Sequence, residues 1–166
     1  NRTIFALSFL AGLRACEISG LKVGDVYEAD SRVRDTIFLK AGQTKGDESN
    51  MVIVSKRLNK ILASYAGAYP RHIVTHDAPM FISAKRGGFT PQTIINLFAR
   101  FYALAGIKGA SSHSGRRQFV TELADKGVNA RVIQALARHK NLNTTMRYID
   151  LNDKKLRNAV ELVGQP

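Results

Sequence analysis

A single cysteine, Cys16, is all the thiol chemistry the 166-residue chain holds. It cannot close an internal disulfide, and without a cysteine pair at ligand spacing there is no zinc ribbon or finger. A reducing, intracellular compartment is the simpler expectation. Long hydrophobic runs are also lacking: the longest, Ile4 to Leu13, includes Ser8 and stops at Arg14, too short to cross a bilayer as a helix. No small-residue cleavage site marks it as a secretory signal. A start methionine is missing as well, and Asn1 stands in what reads as a helix already under way, so the expectation is a fragment with more chain upstream. Acidic residues are few and scattered, with no D-x-D or paired carboxylates of the sort that hold two metal ions. Metal-dependent cleavage is therefore disfavoured. Neither G-x-x-x-x-G-K-[ST] nor G-x-G-x-x-G occurs, which removes the phosphate cradle of nucleotide-driven chemistry. His72 and His76 are four apart, but Pro70 precedes them, Ile73 and Val74 point to extended chain, and no third zinc ligand lies near.

What is present is a soluble, globular composition, 45% hydrophobic and 23% charged, in a chain long enough for one domain with its own core. Lysine and arginine number 25 against 13 acidic residues, a net charge of +12. Neutralising phosphates releases condensed counterions, so this imbalance favours a polyanionic partner. The charges come in ones and twos along the chain, which implies a folded basic face and not a disordered arm.

Periodicity gives a mainly α chain with one small sheet. Residues 2 to 13 carry Ile4, Leu7 and Leu10 or Ala11 at helical spacing and end at Gly12; a short helix from Ala15 to Leu21 follows. Thr36-Ile37-Phe38-Leu39 and Met51-Val52-Ile53-Val54 read as two antiparallel strands around a polar loop, Gly42 to Asp47. Helical spacing resumes at 56 to 66 through Leu58, Ile61, Leu62 and Tyr65, and a loop follows Pro70. Thr90-Pro91 opens a helix with an N-cap and a first-position proline, its buried stripe being Ile94, Phe98, Phe101 and Ala105. A helix from about Ser114 to Lys126 buries Phe119, Val120 and Leu123 and stops at Gly127. Asn129 caps the next, with Val132, Ile133 and Leu136 inward. Thr144 to Tyr148 reads as one or two helical turns, and Leu156 to Val163 as a last amphipathic helix.

The chemistry these residues can support is metal-free attack on a phosphodiester. Its pentavalent transition state gathers charge on the non-bridging oxygens, so fixed donors are needed there, and arginine forks supply them. The leaving alkoxide needs a proton, which lysine or histidine can give. A covalent nucleophile conserves the bond energy for rejoining. Gly12-Leu13-Arg14-Ala15-Cys16-Glu17-Ile18, Gln43-Thr44-Lys45-Gly46, His113-Ser114-Gly115-Arg116, and His139 followed by Asn143-Thr144-Thr145-Met146-Arg147-Tyr148 together resemble, in order, the four elements of the tyrosine recombinase (phage integrase) family. The resemblance covers nearly the whole chain.

It implies an α+β catalytic domain, mainly α, a helical bundle with a small antiparallel sheet over 1–166, with a helical DNA-clamping domain upstream. It implies Tyr148 as nucleophile, a scissile phosphate held by Arg14, Arg116, His113 and His139, and Lys45 as acid to the 5′-oxygen. No metal, ATP or other cofactor is implied. The partner is double-stranded DNA, in a homotetramer on two duplexes, with a monomer open to the isolated domain, DNA-associated in the cytoplasm and away from membranes. Spacing alone does not separate Arg116 from Arg117, nor Lys45 from Lys40; the resemblance picks the first of each pair. Arg117, Arg138, Lys140, Lys85 and Arg86 are expected to contact DNA. Glu17 is expected to orient its neighbours. Two departures stand out: Gly115 where the family usually has leucine, which predicts a softened helix start, and Arg138 where it often has glycine. A type IB topoisomerase-like enzyme, or a non-catalytic DNA-binding module of the same fold, remains as an alternative.

Overall fold

Helix-end chemistry sets the frame in which the site is built. In the computed structural model, residues 1–43, 49–83 and 87–149, with 157, 160, 161 and 163, are described. The first helix, α1 (Arg2–Ala11), closes on Gly12, whose left-handed backbone (φ 63°) returns its N–H to the carbonyls of Leu7 and Ser8. A Cβ at Gly12 would also lie 2.7 Å from the Phe119 ring, so glycine is required there by space as well as by conformation. The short α2 (Ala15–Gly20) and a single-turn α3 (Val23–Val26) follow.

Strand β1 (Thr36–Leu39) pairs antiparallel with β2 (Asn50–Ile53), Ile37 opposite Val52. Alternation sends Ile37, Leu39 and Val52 into the core and leaves Phe38, Met51 and Ile53 outside. The second strand starts one residue earlier than its β-branched run suggested. The Ser55 hydroxyl accepts from Leu58 N to start α4 (Lys56–Ala68). Next, α5 (Pro70–Ile73) corrects the expectation of extended chain: Pro70 opens a helical turn in place of ending one, its fixed φ being suited to the first position.

The Thr90 side chain caps α6 (Pro91–Leu104) as expected, but its buried stripe is Ile94, Phe98 and Tyr102. Steps of four carry the face to Tyr102, which leaves Phe101 half-buried and puts Ala105 outside as the C-cap. Beyond it lie α7 (Ser114–Asp125), α8 (Ala130–Ala137) and α9 (Leu142–Met146). In α8 the inward pair is Ile133 and Ala137, one turn apart, and this phase pushes Val132 out to 48% exposure. The Asn141 side chain caps α9, which ends before Tyr148, so that residue sits in the turn beyond the helix.

The larger core is built from α1 to α6 and both strands. A smaller one gathers Val120, Ala124, Ile133 and Ala137, with Phe119, Tyr148 and Ile149 against it. The two meet where Phe119 lies on Gly12 and α7 packs along α1. The expected helix at 156–163 lies, apart from four separate positions, outside the described residues. No helix among the described residues is long and apolar enough to cross a membrane.

Candidate active site

Arg14 is the N-cap of α2, and its backbone N–H donates to Glu17 Oε2 at 2.8 Å while its Nη1 donates to Glu17 Oε1 at 2.6 Å. The carboxylate at the third helical position thus fixes the arginine whose backbone starts the helix. Two of the five guanidinium N–H groups are committed to described residues, the second through Nη2 to the Arg138 carbonyl at 3.3 Å. The side chain keeps 24% of its surface open.

Arg116 projects from the first turn of α7 into the seam between the two cores. Its Nη1 donates to the Gly12 carbonyl at 2.6 Å and its Nη2 to the Ala137 carbonyl, so it joins the C-terminal ends of α1 and α8. A cation there completes carbonyls that no helical N–H reaches and meets the negative ends of both dipoles. Burial, with Arg14 and Arg138 close by, pulls its guanidinium down to about 9 from its usual 12.5. Three arginines so close favour an anion among them.

Gly115, expected to soften this turn, does the opposite. It is buried, and a Cβ on it would lie 2.4 Å from Ser8 Oγ and 2.7 Å from the Phe9 ring. The missing side chain is what lets α7 seat on α1 and bring Arg116 to Gly12.

His139 follows the end of α8. Its Nδ1 is 2.9 Å from the Thr145 hydroxyl, which is fully buried, and its ring stacks on that of Tyr148 with centroids 6.4 Å apart and 22° between planes. Burial first, then Arg116, Arg14 and Arg138, push the imidazole down to about 4. It is therefore neutral at neutral pH, a hydrogen-bonding group and not a cation. Nε2 carries the hydrogen when the Thr145 hydroxyl donates to Nδ1. Thr145 was visible beforehand only as half of a Thr-Thr pair; nothing in the sequence marked it as the partner of His139.

Arg138 departs from expectation. Its guanidinium is 3% exposed and faces inward, donating to Glu17 Oε2 at 2.9 Å, Gly12 O at 3.0 Å and Leu136 O at 2.9 Å. It lies beneath the site and not on a DNA-facing surface. The residue is in the left-handed conformation (φ 56°) as the C-cap of α8, which accounts physically for a glycine preference at this position. Desolvation would raise the Glu17 carboxyl, but Arg138 and Arg14 together hold it below its ordinary value. Glu17 is thus a buried counter-ion, in keeping with the orienting role expected of it.

The structure therefore gathers Arg14, Arg116, His139 and Tyr148 within electrostatic reach of one another, with Glu17, Arg138 and Thr145 beneath. His113 stands one turn before Arg116, exposed at the N-cap of α7, and no described side-chain bond ties its imidazole to the cluster. Arg117 and Lys140 are exposed beside it. Lys45, Lys85 and Arg86 lie outside the described residues.

Relatives share this arrangement of helices. The tyrosine recombinase XerC of Corynebacterium efficiens is 30% identical over 159 residues, covering 96% of this chain and 49% of its own length. XerA of Pyrococcus horikoshii is 29% identical over 164 residues, covering 97% of this chain and 54% of its own. The chain spans about half the length of the curated relatives it matches. A crystal structure of XerA recombinase superposes with a TM-score of 0.72 at 28% identity, over 97% of this chain and 56% of that one. The Tn1549 transposon integrase in complex with transposon right end DNA reaches a TM-score of 0.74 at 18% identity, over 98% of this chain and 58% of that one, a likeness of fold. The model of the phage integrase family matches residues 1–155, a span that takes in every element from α1 to the Tyr148 turn, and the chain belongs to that family.

Proposed function

We propose that the chain is the catalytic domain of a site-specific DNA recombinase that breaks and rejoins DNA through a 3′-phosphotyrosyl intermediate. The observation that carries the reading is the gathering of Arg14, Arg116 and His139 within electrostatic reach of one another, with the His139 ring close to parallel with that of Tyr148, centroids 6.4 Å apart. Tyr148 attacks the scissile phosphorus, and the bond to the 5′-oxygen breaks. Arg14 and the neutral His139 donate to the non-bridging oxygens, and Arg116 adds buried positive charge behind them. Lys45 supplies the proton to the departing 5′-oxygen, and His113, at the N-cap of α7, adds a donor from the exposed side. A 5′-hydroxyl from another strand reverses the step, so the bond energy is retained in the phosphotyrosine and neither metal nor ATP is consumed.

Double-stranded DNA is the substrate class. XerH is described bound to its difH substrate in a pre-cleavage complex, and the net charge of +12 here suits the same kind of polyanion. Arg117 and Lys140, exposed beside the cluster, with Lys85 and Arg86, contact the backbone around the scissile phosphate. The working assembly is a tetramer on two duplexes.

A nicked suicide substrate carrying the protein's own site tests the reading. A covalent protein–DNA adduct is expected, and Tyr148→Phe removes it while leaving DNA affinity within about threefold, since one hydroxyl is a small part of a phosphate-dominated interface. No adduct from the unaltered protein refutes catalysis. Rejoining confined to the original strand, with no joining of separate duplexes, assigns a topoisomerase-like activity.

A further inference from the structure

We propose that Arg138 is a positioning residue of the site: by neutralising one oxygen of Glu17 it keeps Arg14 turned toward the phosphate and supplies the second net positive charge of the cluster. The inference rests on the reading of Arg14 as a phosphate ligand. Glu17 is fully buried and has one negative charge to share between two guanidinium groups, Arg14 Nη1 on Oε1 at 2.6 Å and Arg138 Nη2 on Oε2 at 2.9 Å. Three guanidinium charges less one carboxylate leave +2 among Arg14, Arg116, Arg138 and Glu17. A diester is a monoanion and its pentavalent transition state a dianion. The cluster therefore matches the transition state better than the ground state.

Stability is a poor explanation for Arg138. A side chain in the left-handed region is strained, the guanidinium is almost wholly desolvated, and its Nε is buried with no partner among the described residues. Glycine would hold the turn, including the carbonyl that accepts from Arg14 Nη2. What the side chain adds is its grip on Glu17 and on the Gly12 carbonyl, the same carbonyl that seats Arg116. Without it, Glu17 is left to Arg14 alone. The full attraction of a buried carboxylate then draws that guanidinium inward, away from the open side, and the net charge of the cluster falls to +1.

Arg138→Gly isolates the side chain, because it relieves the backbone. We expect thermal unfolding to come earlier, since the buried Glu17 loses a partner, with the relief of the backbone offsetting part of that. DNA affinity stays within about threefold, while single-turnover cleavage of the suicide substrate at saturating DNA, below the unfolding range, slows ~10–100-fold, less than the ~10²–10³ of a lost direct donor. Arg138→Lys, which keeps the charge but loses the fork, falls between. Adding Glu17→Gln to Arg138→Gly removes the uncompensated carboxylate and restores at least part of the rate, a coupling that a merely structural role does not produce. Wild-type cleavage by Arg138→Gly, equal losses in affinity and rate, or additive losses in the double variant overturn the proposal. If the unaltered protein forms no adduct, the reading of Tyr148 fails, and orthovanadate affinity then tests Arg138 by itself. Weaker vanadate binding in Arg138→Gly, regained in the double variant, supports it; unchanged binding overturns it.

Discussion

Gly115→Ala is the sharpest test of how α7 is seated on α1. Judged on helix propensity, alanine in a helix is worth up to ~1 kcal/mol over glycine. The packing predicts the reverse sign. The new methyl would lie 2.4 Å from Ser8 Oγ and 2.7 and 2.9 Å from two Phe9 ring carbons, so both side chains or the whole helix must move. Overpacking of this kind costs ~1–3 kcal/mol. Set against the propensity gain, the net loss is ~1 kcal/mol, which lowers Tm by ~2–4 °C in a chain of this size. Arg116 is the next residue, and its 2.6 Å bond to Gly12 spans the displaced interface, so adduct formation slows together with the loss of stability. Phe9→Ala in the same chain makes room for the methyl, so Gly115→Ala costs less there than in the unaltered protein. Thermal unfolding followed by circular dichroism decides: a Tm raised by ~2–4 °C, the result propensity alone gives, refutes the tight seating.

Arg116→Ala leaves the Ala137 carbonyl without its donor and the Gly12 carbonyl with that of Arg138, at ~1–3 kcal/mol for the group left buried; unfolding and cleavage assays should both record the loss, with cleavage down ~10–100-fold, less than for a lost direct donor. Thr145→Val removes the hydroxyl held 2.9 Å from His139 Nδ1, and cleavage should slow by roughly five- to tenfold for one lost hydrogen bond, with ¹⁵N shifts reporting a mixed imidazole tautomer. His139 should titrate near 4 in the free protein, against 6.5 for an unperturbed imidazole. The unfolded chain then takes up a proton that the folded chain refuses, so this residue's stabilising contribution is present above about 6.5 and is lost as pH falls toward 4. A bound phosphate offsets the three arginines and raises that value; an NMR titration showing no rise on binding DNA contradicts the placement of the phosphate among them.

Local signals were the legible ones. Gly12 and Thr90-Pro91 announce their helix ends because capping is a matter of one or two neighbouring residues, and Thr36 to Leu39 announces a strand by alternation. The turns α3 and α5 were missed because four residues are too few to show a period, and α5 begins at a proline that reads equally well as a stop. At the site, Arg14, Arg116, His139 and Tyr148 could be named from their motifs. The inward turn of Arg138 could not, since it depends on Glu17, 121 residues away in the chain. The sign of the Gly115 effect was likewise hidden, because what faces it is Phe9 on another helix. Propensity is written residue by residue; close approach is not.

The Gly12 carbonyl accepts from Arg116, 104 residues later, and from Arg138, 126 residues later. Contacts of such span form late, because a long loop must close before they return any energy. During synthesis, α1 leaves the ribosome well before either arginine exists, so its C-terminal end waits on water until α7 and then α8 arrive. The arginine cluster around Gly12 is therefore among the last parts of the domain to assemble. On the proposed function, a nascent chain that can already offer basic surface to nucleic acid has no means of cutting it until its final third has folded back on its first helix.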